Sequence, residues 1–307
     1  MKAIVIREYG GPEVVEYTEV PDPKVGPDSV LVRVRAAGVN PVDWQVREGR
    51  LDGMLDVRFP LVMGWDLAGE VQAVGGAVTE FAPGDEVIGF VRRDTVEHGT
   101  YAELVAAPVR TLARKPAALD WAQAGGLPLA GLTAYQALRV LDPAAGETLL
   151  VHAAAGGVGS LAVQLAVARG ARVIGTAGER NHAWLRTLGA EPVAHGPGLA
   201  DRVRALAPDG VHAALDLVGG DAVETSVQLV ADPARIASAV DFAVTARGGR
   251  YIWARPDAAD LAALADLAER GLLTVPVAST FPLAQAASAQ ALNAEGRTRG
   301  KIVLLVD

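Results

Sequence analysis

The sequence predicts an α/β protein built in two parts, a small β-barrel or sandwich followed by a doubly wound parallel sheet. Short β-like runs separated by Gly and Pro turns fill the stretch 1–118. From Leu119 onward, strand, turn and helix alternate. A run of small residues, VHAAAGGVGS at 151–160, lies between two apolar segments. Many short strands argue for a barrel or sandwich, and βα alternation argues for a parallel sheet.

Taken in order, KAIVI, VVEYTEV, SVLVRVRAAGV, LAGEVQAVG, DEVIGFV and YAELVAAP read as strands. PDPKVGPDS, VTEFAPGDE and residues 92–99 read as loops. In the second part, TLLVHAA is a strand and GSLAVQLAVARG a helix that ends at Gly170. ARVIGTAG and ERNHAWLRTLGA repeat the pair, followed by EPVAHG, a helix over DRVRALA, and VHAALDLVGG. ARIASAV and GRYIWA close the series. A helix over DAADLAALADLAERG, the run TVPVASTF, another helix and KIVLLV form the tail. The resulting division is 1–118, 119–256 and 257–307.

At 307 residues the chain is long enough for two domains. Half the residues are hydrophobic and 21% are charged, a core-forming composition. A net charge of −8 argues against a nucleic-acid surface, which needs clustered Lys and Arg. No Cys is present, so disulfides, Cys-ligated zinc, iron–sulfur clusters and thiol nucleophiles are excluded, and a reducing compartment fits. The opening MKAIVIREYG has no signal-peptide core, because Lys2, Arg7 and Glu8 bracket four apolar residues. Residues 148–168 and 121–138 each carry no Asp, Glu, Lys or Arg, yet Gly interrupts the first and Gly and Pro the second, so they read as buried elements rather than membrane spans.

No side chain in AAAGGVG can carry chemistry, which leaves the backbone as the functional part. Setting Ala154, Gly156 and Gly159 against the small positions of a dinucleotide-binding fingerprint gives A-x-G-x-x-G, with Gly157 and Val158 in the same turn. Small residues let the main chain approach a pyrophosphate, and the helix start offers amide donors and partial positive charge. The alternative is a Gly-rich turn common to any α/β sheet. An NAD site carries Asp or Glu at the end of the second strand, but here that position falls near Ala177. Arg180 and Asn181 follow, and an Arg suits a 2′-phosphate, so NADP(H) is favoured over NAD. Alternatively, Glu179 and Arg180 only begin a solvated helix.

Together, AAAGGVGSLAVQLAVARG, GVNPVDW and GRTRGKIVL resemble the medium-chain dehydrogenase/reductase superfamily, in particular its zinc-free, NADPH-dependent quinone oxidoreductase branch. The resemblance spans nearly the whole chain. It implies a GroES-like catalytic β-barrel domain, a Rossmann domain and a C-terminal return to the first domain. Zinc-dependent members carry Cys and His ligands; this chain reads AAGVNPVDW at the first Cys position and Gly64-Trp65-Asp66 at the ligand His, so no metal site is expected. Asp43 and Asp66 as ligands of a hard cation are weighed against loop-stabilising acids. Without a metal to stabilise an alkoxide, the resemblance implies hydride transfer from NADPH to an acceptor that spreads its own charge, a quinone or an α,β-unsaturated carbonyl.

The resemblance also nominates residues. Asn40 occupies the GVN position, where its amide would donate to a carbonyl oxygen or hold the nicotinamide ribose; the alternative is an Asn-Pro turn. Asp43 and Trp44 follow, Trp44 as a pocket wall or as core. Several members have a Tyr where this chain has Gln45, and Tyr101 substitutes only if its hydroxyl faces the cleft; packing is the alternative. Thr133 matches a residue near the nicotinamide, or bonds its own helix. Val218 and Gly219 lie at a strand end, the ligand edge of such a sheet. His195 takes a position near the adenosine. Arg297, Arg299 and Lys301 would hold the cofactor phosphates, or form a solvated turn. His152 reads as core.

The expected protein is therefore a cytoplasmic NADP(H)-dependent reductase of a small hydrophobic quinone or enone, with no nucleic-acid or membrane partner. YIW is an exposed edge strand through which two copies would pair as a homodimer. The competing readings are an enoyl reductase acting on a carrier-linked acyl chain and a non-catalytic NADPH-binding sensor.

Overall fold

The computed structural model describes residues 1–306. The chain divides into two compact units, Met1–Leu132 with Arg255–Asp307, and Thr133–Ala254. The first boundary thus lies beyond residue 118, where the texture of the sequence changes. The cause is a short helix that follows Leu119 and packs on the first unit's sheet.

Along the chain the elements are β1 (Lys2–Ile6), β2 (Glu16–Glu19), β3 (Ser29–Val39), α1 (Pro41–Arg47), β4 (Asp56–Val57), β5 (Leu61–Val62), β6 (Asp66–Val74), β7 (Glu86–Phe90), β8 (Thr95–Val96), β9 (Leu104–Pro108), β10 (Leu112–Arg114), α2 (Trp121–Gly126) and α3 (Pro128–Leu141). Then come β11 (Thr148–Val151), α4 (Gly157–Ala168), β12 (Arg172–Ala177), α5 (His182–Thr187), β13 (Ala190–Ala194), α6 (Leu199–Leu206), β14 (Ala213–Asp216), α7 (Asp221–Leu229), β15 (Ile236–Ser238) and β16 (Arg250–Tyr251). The tail supplies α8 (Ala258–Glu269), β17 (Val277–Pro282), α9 (Ala286–Ala294) and β18 (Lys301–Leu305).

In the first unit a seven-stranded sheet runs β10-β7-β6-β3-β18-β17, with β9 also paired to β3. Its spine is β3, whose outer half alternates buried and open while AAGV at its end is buried throughout. Two neighbours explain that change. The returning tail strand β18 pairs antiparallel with it, Ile302 opposite Val39. Helix α2 presses on the same stretch: a Cβ on Gly38 would lie 2.7 Å from the Gly125 carbonyl oxygen, and one on Gly125 would lie 2.7 Å from the Ala36 Cβ. Only Ala and Gly permit that approach.

The second unit is a six-stranded sheet ordered β13-β12-β11-β14-β15-β16, every pair parallel. It starts in the middle, winds out to β13, then restarts beside β11 and winds the other way. The order reverses between β11 and β14, and ligands of such sheets bind at the carboxyl ends of the strands there. Strands β11 and β14 are fully buried, as a sheet covered on both faces demands. Leu150, Ile174, Val193, Val203, Val223 and Ile236 fill its core.

Several local expectations shift. Asn40-Pro41 opens a helix instead of a turn, because Pro is suited to the first helical position. The loop read over 92–99 contains β8. Residues Glu179–Asn181 form a 3-10 turn ahead of α5. Of YIW, only Tyr251 lies in edge strand β16, although the Ile252 amide still donates to the Ser238 carbonyl. Among the described residues, no helix is long and apolar enough to cross a membrane.

Candidate functional site

In the second unit, the loop after β11 reaches α4 through Ala153, whose φ is +51°, a left-handed conformation strained for a residue with a Cβ. Thr176 holds it: the Ala153 amide donates to Thr176 Oγ1 at 3.1 Å and the Ala154 amide to the Thr176 carbonyl at 2.9 Å. Gly156 is the N-cap of α4 and brings no side-chain cap, so first-turn amides are left for an anion. A Cβ at Gly159 would stand 2.3 Å from the Ala153 carbonyl oxygen and 2.8 Å from the Ala154 Cα, so this position requires glycine. Ala154 takes the place of the fingerprint's first Gly, and Gly175 on β12 compensates, since a Cβ there would meet the Ala154 Cβ at 2.7 Å. Ala154 and Gly159 are buried, while Gly156, Gly157 and Val158 are partly open.

The other strand ends surround this loop in the order the topology dictates. After β12, Arg180 is exposed and Asn181 half-buried, and no carboxylate occupies Ala177. After β13, His195 is exposed on a turn that Arg202 secures through the carbonyls of Ala194, Gly196 and Pro197. After β14, Asp216 does what the sequence reading did not anticipate. It is fully buried, accepts the amides of Val218 and Gly219, and accepts the Ser238 hydroxyl at 2.6 Å. A lone acid closing the apolar run AAL was the signal for it. Val218 is 60% exposed, so an apolar side chain is presented from a rigidly held turn. His152 is buried with Nε2 3.0 Å from Ser226 Oγ, and burial pushes its pKa down to about 4 although Asp216 pulls the other way. It is a neutral core residue, as read. Thr133 is buried in α3.

The first unit holds a buried polar network. Asn40 is 3% exposed; its backbone amide donates to Asp43 Oδ2 at 2.7 Å, its Nδ2 to Asp66 Oδ2 at 2.9 Å, and its Oδ1 accepts from Lys301 Nζ at 2.5 Å. Lys301 Nζ also donates to the Val39 carbonyl at 3.0 Å. Tyr101 donates its hydroxyl to Asp43 Oδ2 at 2.6 Å, and the Leu129 amide donates to Asp66 Oδ1 at 2.8 Å. Burial raises the carboxyl pKa of Asp43 to about 6 and that of Asp66 to about 7, against the opposing pull of Lys301. Burial likewise pushes the Lys301 ammonium down and the Tyr101 phenol well up.

Three sequence expectations differ from this placement. Lys301 is enclosed in the network and 4% exposed, with its ammonium given to Asn40 and the Val39 carbonyl rather than lying in an open basic turn. Tyr101 is fully buried and its hydroxyl is given to Asp43, which is the packing role and not that of a cleft proton donor. Asn40 and Asp43 spend the polar groups described above inside the network instead of presenting them. Trp44, by contrast, is partly open, with Nε1 donating to Asn293 Oδ1 at 3.1 Å and Arg50 5.1 Å from its ring. Arg297 and Arg299 are exposed between α9 and β18. Tyr101→Phe is expected to cost ~1–3 kcal/mol in urea unfolding, because it strips a partner from a buried carboxyl.

Residues 26–117 match the family described as alcohol dehydrogenase GroES-like domain, and residues 188–304 match the family described as zinc-binding dehydrogenase. A quinone oxidoreductase of Pseudomonas aeruginosa is 36% identical over 99% of this chain and 99% of its own length. The chain belongs to the medium-chain dehydrogenase/reductase superfamily. Within that superfamily, an NADPH-dependent alkenal/one oxidoreductase of Arabidopsis thaliana is 41% identical over 62% of this chain and 51% of that protein. The structure of a Coxiella burnetii quinone oxidoreductase superposes with a TM-score of 0.89 at 34% identity, covering 100% of this chain and 99% of that one. The structure of an NAD-dependent alcohol dehydrogenase gives 0.89 at 34%, covering 100% of both chains. The chain is thus a medium-chain oxidoreductase with a GroES-like domain and a Rossmann-type sheet, and a nicotinamide cofactor belongs to it.

Proposed function

We propose that the protein is an NADPH-dependent reductase that delivers hydride to a quinone or an α,β-unsaturated carbonyl without zinc. The observation that carries the cofactor half is the uncapped start of α4 behind a loop that only small residues can form. Its amides would bind the pyrophosphate. Arg180 and Asn181 would face the 2′-phosphate, Ala177 offers no acid to prefer a bare ribose, and His195 would flank the adenosine. Asp216 would keep the Val218–Gly219 turn in place at the nicotinamide end of the sheet. When bound, the reduced cofactor supplies a hydride.

The donor set in the first unit does not suit zinc, whose ligands are Cys, His and carboxylate in tetrahedral array. The chain has no Cys. Trp65 stands where zinc-dependent members carry a ligand His, and its ring lies 6.1 Å from that of Phe90 in the core. The two buried carboxylates share their site with an ammonium. An acceptor that delocalises its own negative charge needs no Lewis acid, which is why quinones and enones are favoured. A cytoplasmic location, and pairing of two copies along β16, belong to the same reading.

The test is the loss of reduced-nicotinamide absorbance with an ortho-quinone and a simple enone, NADPH and NADH side by side. Rapid NADPH-selective turnover is expected. Arg180→Ala should raise the NADPH Kd about tenfold or more and leave NADH unchanged, the loss of a charge-assisted phosphate contact. Equal loss for both cofactors would remove the 2′-phosphate assignment.

A further inference from the structure

The buried network raises the question of what Lys301 is for, since its ammonium is enclosed within it. Asn40 is its hub. The carboxamide oxygen meets the ammonium and the carboxamide nitrogen meets the Asp66 carboxylate. A flipped amide would set NH2 against NH3+ and carbonyl oxygen against carboxylate, so the two opposite charges dictate one orientation. Through its backbone amide the same residue holds Asp43, one turn into α1, and Asp43 in turn receives Tyr101. Lys301 is itself anchored: its backbone amide donates to Pro276 at 2.7 Å, and α2 lies against its stem, where a Cβ on Gly126 would come 3.3 Å from the Lys301 Cβ. One ammonium therefore ties the end of β3 and the start of α1 to the starts of β6 and β18.

We propose that Lys301 is a positioning residue, a buried internal cation that locks the Asn40 carboxamide and the start of α1, and thereby sets Trp44, while balancing the charge of Asp43 and Asp66. Its kinetic consequence rests on the reductase reading; its structural consequence does not. The rival assignment for the same residue is a cofactor-phosphate contact. The two predict different losses. A phosphate contact acts on cofactor affinity, whereas a positioning cation acts on stability and on the acceptor.

The experiment uses the full chain and compares wild type, Lys301→Met and the double variant Lys301→Met/Asp66→Asn at pH 8, above the raised pKa of both wild-type carboxyls. The NADPH Kd and its salt dependence, thermal unfolding, and kcat and KM for an ortho-quinone are measured. For Lys301→Met the NADPH Kd should stay within about twofold while quinone kcat/KM falls about tenfold or more. The double variant should melt above the single one, because it removes a carboxylate left without its cation. A chemical arm guards against a purely steric effect. The chain has no Cys, so Lys301→Cys carries the only thiol, and aminoethylation under denaturing conditions followed by refolding restores an ammonium at lysine's length, with sulfur in place of the γ-methylene. It should recover most of the lost kcat/KM.

A rise of about tenfold in NADPH Kd with a shallower salt dependence would instead make Lys301 a phosphate ligand and overturn the proposal. A double variant that melts no higher than Lys301→Met would overturn it as well. If wild type reduces no acceptor, the reductase reading fails, and the affinity and melting arms still decide the role of Lys301.

Discussion

Asp66→Asn should gain stability relative to wild type as the pH rises from about 4 to about 7, by on the order of 4 kcal/mol across that window. The sign follows from the proton count. Burial raises the folded-state pKa of Asp66 to about 7 from the ordinary carboxyl value of 3.8. Between those values the folded protein holds a proton that the unfolded chain has released. Stability of the wild type therefore falls as pH rises through the window, and the penalty is fully present above it. An amide has no such proton, so the difference between the two proteins isolates this group from every other acid. Asparagine can accept only one of the two hydrogen bonds now donated by Leu129 and Asn40, a cost that does not vary with pH. Urea unfolding of both proteins at closely spaced pH values measures the effect. A difference that is flat in pH would mean that Lys301 and the donated hydrogen bonds fully offset the effect of burial on Asp66.

Gly159→Ala is expected to lose both stability and cofactor binding. The new methyl group would lie 2.3 Å from the Ala153 carbonyl oxygen and 2.8 Å from the Ala154 Cα, and neither main-chain atom can rotate aside. Relief requires α4 to draw back from the loop, at a cost of ~1–3 kcal/mol as for other overpacked positions. That movement carries the first-turn amides with it, so the NADPH Kd should rise about tenfold or more, since several charge-assisted bonds weaken together. Thermal unfolding and a fluorescence titration test the two halves separately. Gly156→Ala is the control, because its Cβ would come only to 3.3 Å from the same oxygen. Equal losses of stability at both positions would point to backbone flexibility rather than close approach as the reason for glycine at 159.

Much of this was legible from residues alone. The alternation of strands and helices after Leu119 announced a parallel sheet, and the long β3 was visible as one continuous run. The boundary of the first unit was harder to place, because α2 has only six residues and no periodicity to declare which sheet it covers. The seven-residue α1 was concealed for the same reason behind an Asn-Pro pair. Gly175 gave no local hint of its purpose, which is to make room for an alanine in the loop after the neighbouring strand.

By itself the sequence determined what local sterics and composition decide: a bare loop at the start of α4, no acid at the end of β12, and no thiol for a metal. Tertiary structure alone decided the company that the charged residues keep. Lys301 meets Asn40 across 261 positions because Ile302 pairs with Val39 when β18 returns antiparallel beside β3, which brings the residue before Ile302 to the residue after Val39. Without that register a lysine in a basic tail looks like a phosphate ligand. With it, the same ammonium lies out of water among two carboxyls and an amide, and the low dielectric there makes its partners, rather than its charge, define its role.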